Sequence, residues 1–563
     1  MRSKDSSCRF SLSLLITVGF LFFGPATAAR AQTFSVLYNF GSQLDDPCQQ
    51  FFSGIIAQGR DGNLYSGSSE CGAYGRGAAY RVTPGGSLTT EYSFSGGSDG
   101  SYPYGGLTLG TDGNFYGATY GGGFGSYGTI FKMTPGGGLT TLYTFTDSGD
   151  GALPAAPPIQ GTDGNLYGTT CPGCNNQGVY GTIYKITHSG TFTVLYECDI
   201  THCEDFYGPL IQGTDGNFYG TSIYGGTNGA GVVLKITPAG QLTDLYSFDN
   251  THGDYPTGPL VQGTDGNFYG TTLDGGASGY GVVFRMTPAG KLTVLHNMNG
   301  TTDGSAPYAG LVQATDGNFY GVNAYGGAAS TYCPAGCGAI FKITSSGAFS
   351  VLYNFDMTTG QLPYTTLYQH TNGVLYGATQ LGGTGDVDPL CSPGNCGVLY
   401  SLNIGAAPFA SLLSTTGKVG KKIEILGQGF TGTTAVSFNG TAATYGVVSD
   451  TYLTATVPAG ATPGPVTVTT PGGTLTSSKT FRVAPSITSF SPASGPVGTA
   501  VVITGESLTR TTSVSFGGVK AVSFTVNSDT QVTAIVPTGA VTGKIKIVTA
   551  GGTSTSGGTF TIT

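Results

Sequence analysis

The chain contains no tryptophan, only five histidines, and charged side chains at just 9% of its 563 residues. Without Trp, any stacking on a sugar face has to come from tyrosine, of which there are 33. The histidines His188, His202, His252, His296 and His370 stand far apart, and none belongs to a Ser/His/Asp or zinc-protease signature. Basic charge is scarce as well: 22 Lys and Arg face 30 Asp and Glu, a net charge of −8, which excludes the basic surface that nucleic acid requires. Low charge is also found in disordered chains, but 31 Phe and the many Tyr, Val and Ile provide the apolar area that disordered segments lack. The 97 glycines therefore read as turns between many short strands.

One apolar run stands out, at residues 10–23, preceded by Arg2, Lys4 and Arg9 and followed by Ala29-Arg30-Ala31. This order predicts a secretory signal peptide over residues 1–31, cleaved after Ala31. The run is short for a membrane span of ~20 residues, so the mature chain is expected not to be an integral membrane protein. The destination would be secreted, cell-surface or periplasmic. Cleavage removes Cys8 and leaves ten cysteines: Cys48, Cys71, Cys171, Cys174, Cys198, Cys203, Cys333, Cys337, Cys391 and Cys396. An even number in an exported chain predicts disulfides, with Cys48 and Cys71 left to each other after four sequence-near sets are formed.

Between residues 32 and 403 one segment recurs seven times around Gly-Thr-Asp-Gly-Asn-Phe-Tyr-Gly. Its Asp falls at Asp61, Asp112, Asp163, Asp215, Asp265 and Asp316, with Asn372 in the last copy. A period near fifty residues marks a propeller or solenoid. In the second copy four strand-like runs, at 107–109, 114–119, 129–134 and 139–145, are bounded by Gly, Pro or Asp. Four strands in each of seven units predict a seven-bladed β-propeller over residues 32–405. A lone copy of the fourth strand, residues 35–40, precedes the first unit and is predicted to complete the last one, closing the ring.

Six copies carry a base in the third strand, namely Arg81, Lys132, Lys185, Lys235, Arg285 and Lys342. The copy that lacks it, with Ser401, also lacks the Asp, which predicts a repeated Asp–base contact serving turn shape and packing. The loops after the second and fourth strands hold all ten mature cysteines and most length variation, so that face is where a ligand is expected. The ligand-binding candidates there are Tyr120, Tyr127, Asp205, Tyr224, Asp254, Tyr280, Asp303 and Tyr325. Asp99, Asp150 and Asp303 sit in Asp-Gly-x-x-Pro, a turn sequence, which offers a purely structural role for a ring of loop carboxylates. Cys171, Cys174, Cys198 and Cys203 could compose a zinc site, but export favours disulfides, and no metal or other cofactor is expected.

From about residue 407 the repeat gives way to two units of similar pattern, assigned to 406–484 and 485–563, each an immunoglobulin-like β-sandwich. Val436-Ser437-Phe438-Asn439-Gly440 in the first corresponds to Val514-Ser515-Phe516-Gly517-Gly518 in the second. Both resemble the IPT/TIG domain family. The second follows its opening pattern closely, from Pro485-Ser486-Ile487 through Gly495-Pro496-Val497-Gly498, whereas the first departs from it at 409–414. That resemblance implies an interaction or spacer module without catalysis. The repeat, with its third-strand Gly-x-x-Phe-Lys-x-Thr-Pro and its Leu-Tyr-x-Phe strand, resembles the Gloeo/Verruco (GloVer) tandem repeat family of exported bacterial proteins. Members carry assorted C-terminal anchors; this chain ends at Thr563 without a sorting motif or apolar tail.

The expected function is an exported, non-catalytic binding or adhesion protein whose loop face holds a polysaccharide or surface protein, with the sandwiches as spacers. The alternatives are a polysaccharide-active enzyme using a loop carboxylate pair such as Asp199 and Asp205, and a structural envelope component.

Overall fold

A computed structural model describes residues 32–48, 54–171, 180–329, 331–385, 387, 396–549 and 551–563. The expected signal peptide lies outside the described residues, as do Cys174 and Cys391. The described chain is all-β apart from a single short helical turn at Phe124–Ser126.

Each residue of the repeated motif has a visible task. In the second copy Asp112 accepts hydrogen bonds from the Asn114 amide at 3.1 Å, the Asn114 side chain at 2.7 Å and the Tyr116 hydroxyl at 2.7 Å, so one carboxylate ties off the turn and the strand after it. Gly113 takes the left-handed conformation this turn needs, with φ +85°. Phe115 points to the preceding sheet, where equivalent pairs stack ring on ring: Tyr65–Phe115 at 4.1 Å and Tyr167–Phe218 at 3.9 Å. Gly117 leaves room for the Phe131 ring, which would lie 2.3 Å from any Cβ placed there.

Seven four-stranded antiparallel sheets result, all within residues 33–403. In the second, Thr108–Leu109 is innermost, followed by Phe115–Thr119, Thr129–Met133 and Leu139–Thr144. The N-terminal strand, Thr33–Asn39, pairs antiparallel with Val398–Asn403 and thus forms the outer edge of the last sheet. First and last sheets also touch directly, where the Thr366 amide donates to Gly54 O at 3.0 Å. The array is a closed, propeller-like ring.

A belt of glutamines binds the innermost strands together. The side-chain oxygens of Gln160, Gln212, Gln262, Gln313 and Gln369 each accept from a turn amide of the preceding repeat, at 2.8–2.9 Å. Gln58 accepts from the Thr371 amide across the closing seam at 3.0 Å. The remaining seam has Leu109 at the glutamine position; there Arg60 donates to Thr111 O at 2.7 Å instead.

The expected Asp–base contact is corrected by the structure. Among the described residues only Lys235 and Asp215 make it, at 3.5 Å. Arg81 pairs with Glu91 at 2.7 Å, and the constant partner of the turn carboxylate is the tyrosine four residues on. In the last copy Asn372 takes over by donating to the Tyr376 hydroxyl at 2.9 Å. A short, charge-assisted phenol–carboxylate bond is compatible with half-burial, whereas a lysine on the same strand can reach solvent instead.

The C-terminal units share one strand plan, one sheet ordered Ser411–Leu412, Lys422–Leu426, Tyr452–Thr456, Tyr445–Ser449 and its counterpart Ser486–Ser491, Ala500–Glu506, Gln531–Ile535, Phe524–Ser528. Separate apolar cores, around Phe430 and Phe481 in one and Phe516 and Phe560 in the other, fill them. The first unit is seated against the turns of the ring. Arg60 lies 4.6 Å from the centre of the Tyr452 ring and 3.5 Å from Glu424, and the Thr451 hydroxyl donates to Arg60 O at 2.7 Å.

Candidate functional site

Loops entering each sheet and loops between second and third strands meet on the face opposite the sandwich. Isolated antiparallel bridges join them, Ser101 to Gly121, Glu204 to Tyr224, Asp254 to Asp274, Ser305 to Tyr325 and Gln361 to Leu381. The entering loops also repeat a non-glycine residue in left-handed backbone: Tyr102, Leu153, Asp205, Tyr255, Ala306 and Leu362, with φ of 53–61°. Such residues cost ~1–3 kcal/mol each and persist only where the surroundings over-determine them. Here most are pinned to the neighbouring loop through their own amides, for instance Tyr102 N to Arg76 O and Leu153 N to Tyr127 O, both 2.8 Å.

The Asp-Gly-x-x-Pro carboxylates belong to this loop architecture. Asp99 accepts from the Ser95 amide at 2.7 Å and the Tyr92 hydroxyl at 3.1 Å; Asp150 accepts from the Tyr143 hydroxyl at 2.9 Å; Asp303 lies 3.0 Å from His296 Nε2. Asp303 is thereby engaged within its own repeat boundary by His296. Tyr127 is half-buried against the core around Ile130 and Leu166, and Tyr280, 47% exposed, lies over the Gly300 backbone.

The remaining candidates do come together. Burial and then Asp205 raise the Tyr120 hydroxyl's pKa; Tyr224 is raised by burial, then Tyr255, Asp205, Glu204 and Asp254. Four tyrosines that sequence reasoning missed complete the set. Tyr104, Tyr207, Tyr308 and Tyr364 occupy one equivalent position, directly before the innermost strand and therefore at the mouth of the central channel. Tyr207 is pushed up by burial and by Asp205, Tyr120, Tyr224 and Tyr308, neighbours from three different repeats. Tyr104 is pushed up to about 12 by burial and by Tyr120 and Glu70. The Tyr104 and Tyr120 rings lie 4.9 Å apart and those of Tyr308 and Tyr364 4.7 Å, and the Tyr364 hydroxyl's pKa is raised by burial and then by Tyr325. The signal was there to be read: Pro-Tyr recurs at Pro103-Tyr104, Pro307-Tyr308 and Pro363-Tyr364.

Carboxylates stand among these rings. Burial raises Glu204, Asp254 and Asp274 above the usual carboxylate range, and Asp254, 8% exposed, has one oxygen that accepts no hydrogen bond. Asp199 behaves differently. It accepts from the Thr201 and His202 amides at 2.9 and 3.0 Å and is held down to about 2, mainly by the Thr201 and His202 side chains, so it caps its own turn.

Disulfides join Cys48 to Cys71, Cys198 to Cys203 and Cys333 to Cys337. Cys171 and Cys396 are disulfide-bonded as well. The Cys48, Cys71 and Cys396 sulfurs lie within 4.8 Å of one another, but as disulfide sulfurs they are not thiolate ligands for a metal.

The profile of the Gloeobacter/Verrucomicrobia repeat matches residues 26–206, 157–387 and 207–452. The chain belongs to this repeat family. The IPT/TIG domain matches residues 485–562, so the second sandwich is a TIG domain, and the first has its strand order. No curated protein matches the chain. Among solved structures, a fungal alcohol oxidase of the AA5 family is similar over 81% of this chain and 100% of its own, at 13% identity and a TM-score of 0.43. A luciferin-regenerating enzyme covers 67% of this chain and 98% of its own, at 12% identity and TM-score 0.34. The surface glycan-binding protein PbSGBP-B of Prevotella bryantii covers 27% and 38%, at 19% identity and TM-score 0.19. Likenesses this distant carry no functional argument. No helix among the described residues is long and apolar enough to cross a membrane.

Proposed function

We propose that this repeat protein is an exported, non-catalytic carbohydrate-binding or adhesion protein, with the channel mouth of its loop face as the binding surface and the two sandwiches as spacers. The observation that carries this reading is the convergence of tyrosines from several repeats, among them Tyr120, Tyr207, Tyr224 and Tyr308, around buried carboxylates. Aromatic faces stack on sugar rings while phenols and carboxylates bond the sugar hydroxyls, the mixture expected of a pre-formed site. Bridged and strained loops hold that surface before a ligand arrives, which lowers the ordering cost of binding. Export is supported by the N-terminal leader sequence and by disulfides, which persist in oxidising compartments. The enzyme alternative loses its proposed pair, since Asp199 is committed to its own turn.

The test is incubation of residues 32–563 with a panel of soluble and insoluble polysaccharides, scoring both retention and release of reducing ends. Retention without release, lost in Tyr207→Ala and Tyr308→Ala, is the expected result. Release of reducing ends would make the protein an enzyme; absence of both would leave a protein partner or an envelope role and overturn the reading.

A further inference from the structure

Charge is segregated across the ring. Residues 32–403 contain nine Lys and Arg. Six stand near the end of a third strand, Arg60 and Lys291 lie in turns at that same end, and only Arg76 belongs to the loop face. Arg76 is already engaged, its guanidinium hydrogen-bonded to the Tyr102 hydroxyl. Against it stand Glu70, Glu204, Asp205, Asp254 and Asp274 among the mouth tyrosines. The field over this face is negative, and a channel mouth with low-dielectric walls focuses it.

A second observation gives this acidity a direction. Asp254 is buried and one of its oxygens has no hydrogen-bond donor, although buried carboxylate oxygens are ordinarily satisfied. Asp274 is bridged to it backbone to backbone, 2.9 Å from Asp254 N to Asp274 O, and the Tyr224 and Tyr255 rings, 5.2 Å from each other, both lie within reach of the Asp254 charge, Tyr255 of that of Asp274 as well. Among the described residues no Lys or Arg other than Arg76 lies on this face, and His252, in the same loop as Asp254, is paired with Asp249. Carboxylates backed by aromatic rings are the surroundings that an ammonium group prefers, through charge-assisted hydrogen bonds and cation–π attraction.

We propose that the mouth recognises a cationic saccharide, a polymer of amino sugars with free ammonium groups, and that Asp254 and Asp274 receive one of those groups. Uronic-acid polymers are repelled by the same field, and N-acetylated ones leave the Asp254 oxygen without a charged partner. This rests on the carbohydrate reading above, and the experiment separates the two.

Soluble glucosamine, N-acetylglucosamine and galacturonate oligomers are titrated into the mature protein in near-neutral buffer by calorimetry. Three proteins are compared: wild type, Asp254→Asn/Asp274→Asn, and Asp45→Asn/Asp147→Asn, which removes the same charge from the same face away from the mouth. Circular dichroism verifies that each variant is folded. The expected result is glucosamine binding in wild type and in the control, weakened at least ~10-fold in the Asp254/Asp274 variant, with no galacturonate binding. Equal loss in both variants, or galacturonate or N-acetylglucosamine bound as tightly as glucosamine, would overturn the cationic assignment. If the polysaccharide panel retains the protein yet glucosamine oligomers do not bind, only the charge assignment fails; if neither binds, both readings fail.

Discussion

Gln58 and Thr371 exchange two hydrogen bonds across the seam that closes the ring, from Gln58 Nε2 to Thr371 Oγ1 at 2.8 Å and from the Thr371 amide to Gln58 Oε1 at 3.0 Å. Both residues are buried, and 313 positions of chain separate them. Thr371 is also bonded by the first sandwich, through Gln428 Nε2 at 2.8 Å. Gln58→Ala strands a buried amide, so we expect a loss of about 1–3 kcal/mol and faster hydrogen exchange at Thr371. Gln313→Ala, at a half-buried position of the same belt, should cost less. Identical exchange rates at Thr371 in wild type and Gln58→Ala would remove the seam bond from the account of closure.

The N-terminal strand should be indispensable to the last sheet. Phe34 stacks on Tyr353 at 3.7 Å, and Phe40 is 1% exposed. Deleting residues 32–40 leaves Val398–Asn403 as an open edge, the template for edge-to-edge aggregation. Size-exclusion chromatography should find the deletion variant aggregated, and a monodisperse, cooperatively melting product would refute ring closure by this strand.

Alkaline pH offers a third test. Burial, followed by hydrogen bonding or charge from Asp46, Asp99 and Asp150, pushes Tyr38, Tyr92 and Tyr143 up to about 12. An unfolded tyrosine ionises near 10, so the folded state resists ionisation that the unfolded state accepts. The stabilisation is whole below pH ~10 and is lost as pH rises towards about 12. Denaturant midpoints should fall across that window, and substituting Phe at the three positions should flatten the decline. An unchanged slope would show that other groups govern it.

Arg60 is predicted to fix the first sandwich on the ring. Its contacts with Tyr452 and Glu424 are partly exposed, so a double-mutant cycle of Arg60→Ala and Tyr452→Ala should give a coupling of about 0.5–2 kcal/mol. Small-angle scattering should find Arg60→Ala more extended, with easier proteolysis near residues 404–408. A coupling of zero with unchanged scattering would assign the docking to Thr371, Gln428 and Thr451 alone.

Much of this architecture was legible because the repeat compares the chain with itself. Motif spacing, the displaced first strand and the paired C-terminal units lead to an all-β, propeller-like ring followed by immunoglobulin-like domains, and each follows from local turn and strand chemistry. The site was less legible. Asp254 and Tyr224 could be chosen as loop residues, but Tyr127 was indistinguishable from them until packing set it against Ile130. Tyr207 was overlooked because its repeat has Phe206 where others have proline, which hides the recurrent position.

Sequence alone thus determined the turn that opens each repeat, since the turn Asp, or Asn372 in the last copy, and its tyrosine lie only four residues apart. Only the tertiary structure decided which side chains from different repeats meet. The glutamine belt and the seat of the sandwich join residues roughly fifty or more positions apart, and the tyrosine mouth gathers side chains of different repeats, such as Tyr120, Tyr207 and Tyr308; no local rule relates them. Their proximity is a property of the closed ring, whose curvature brings the ends of every innermost strand to a common axis.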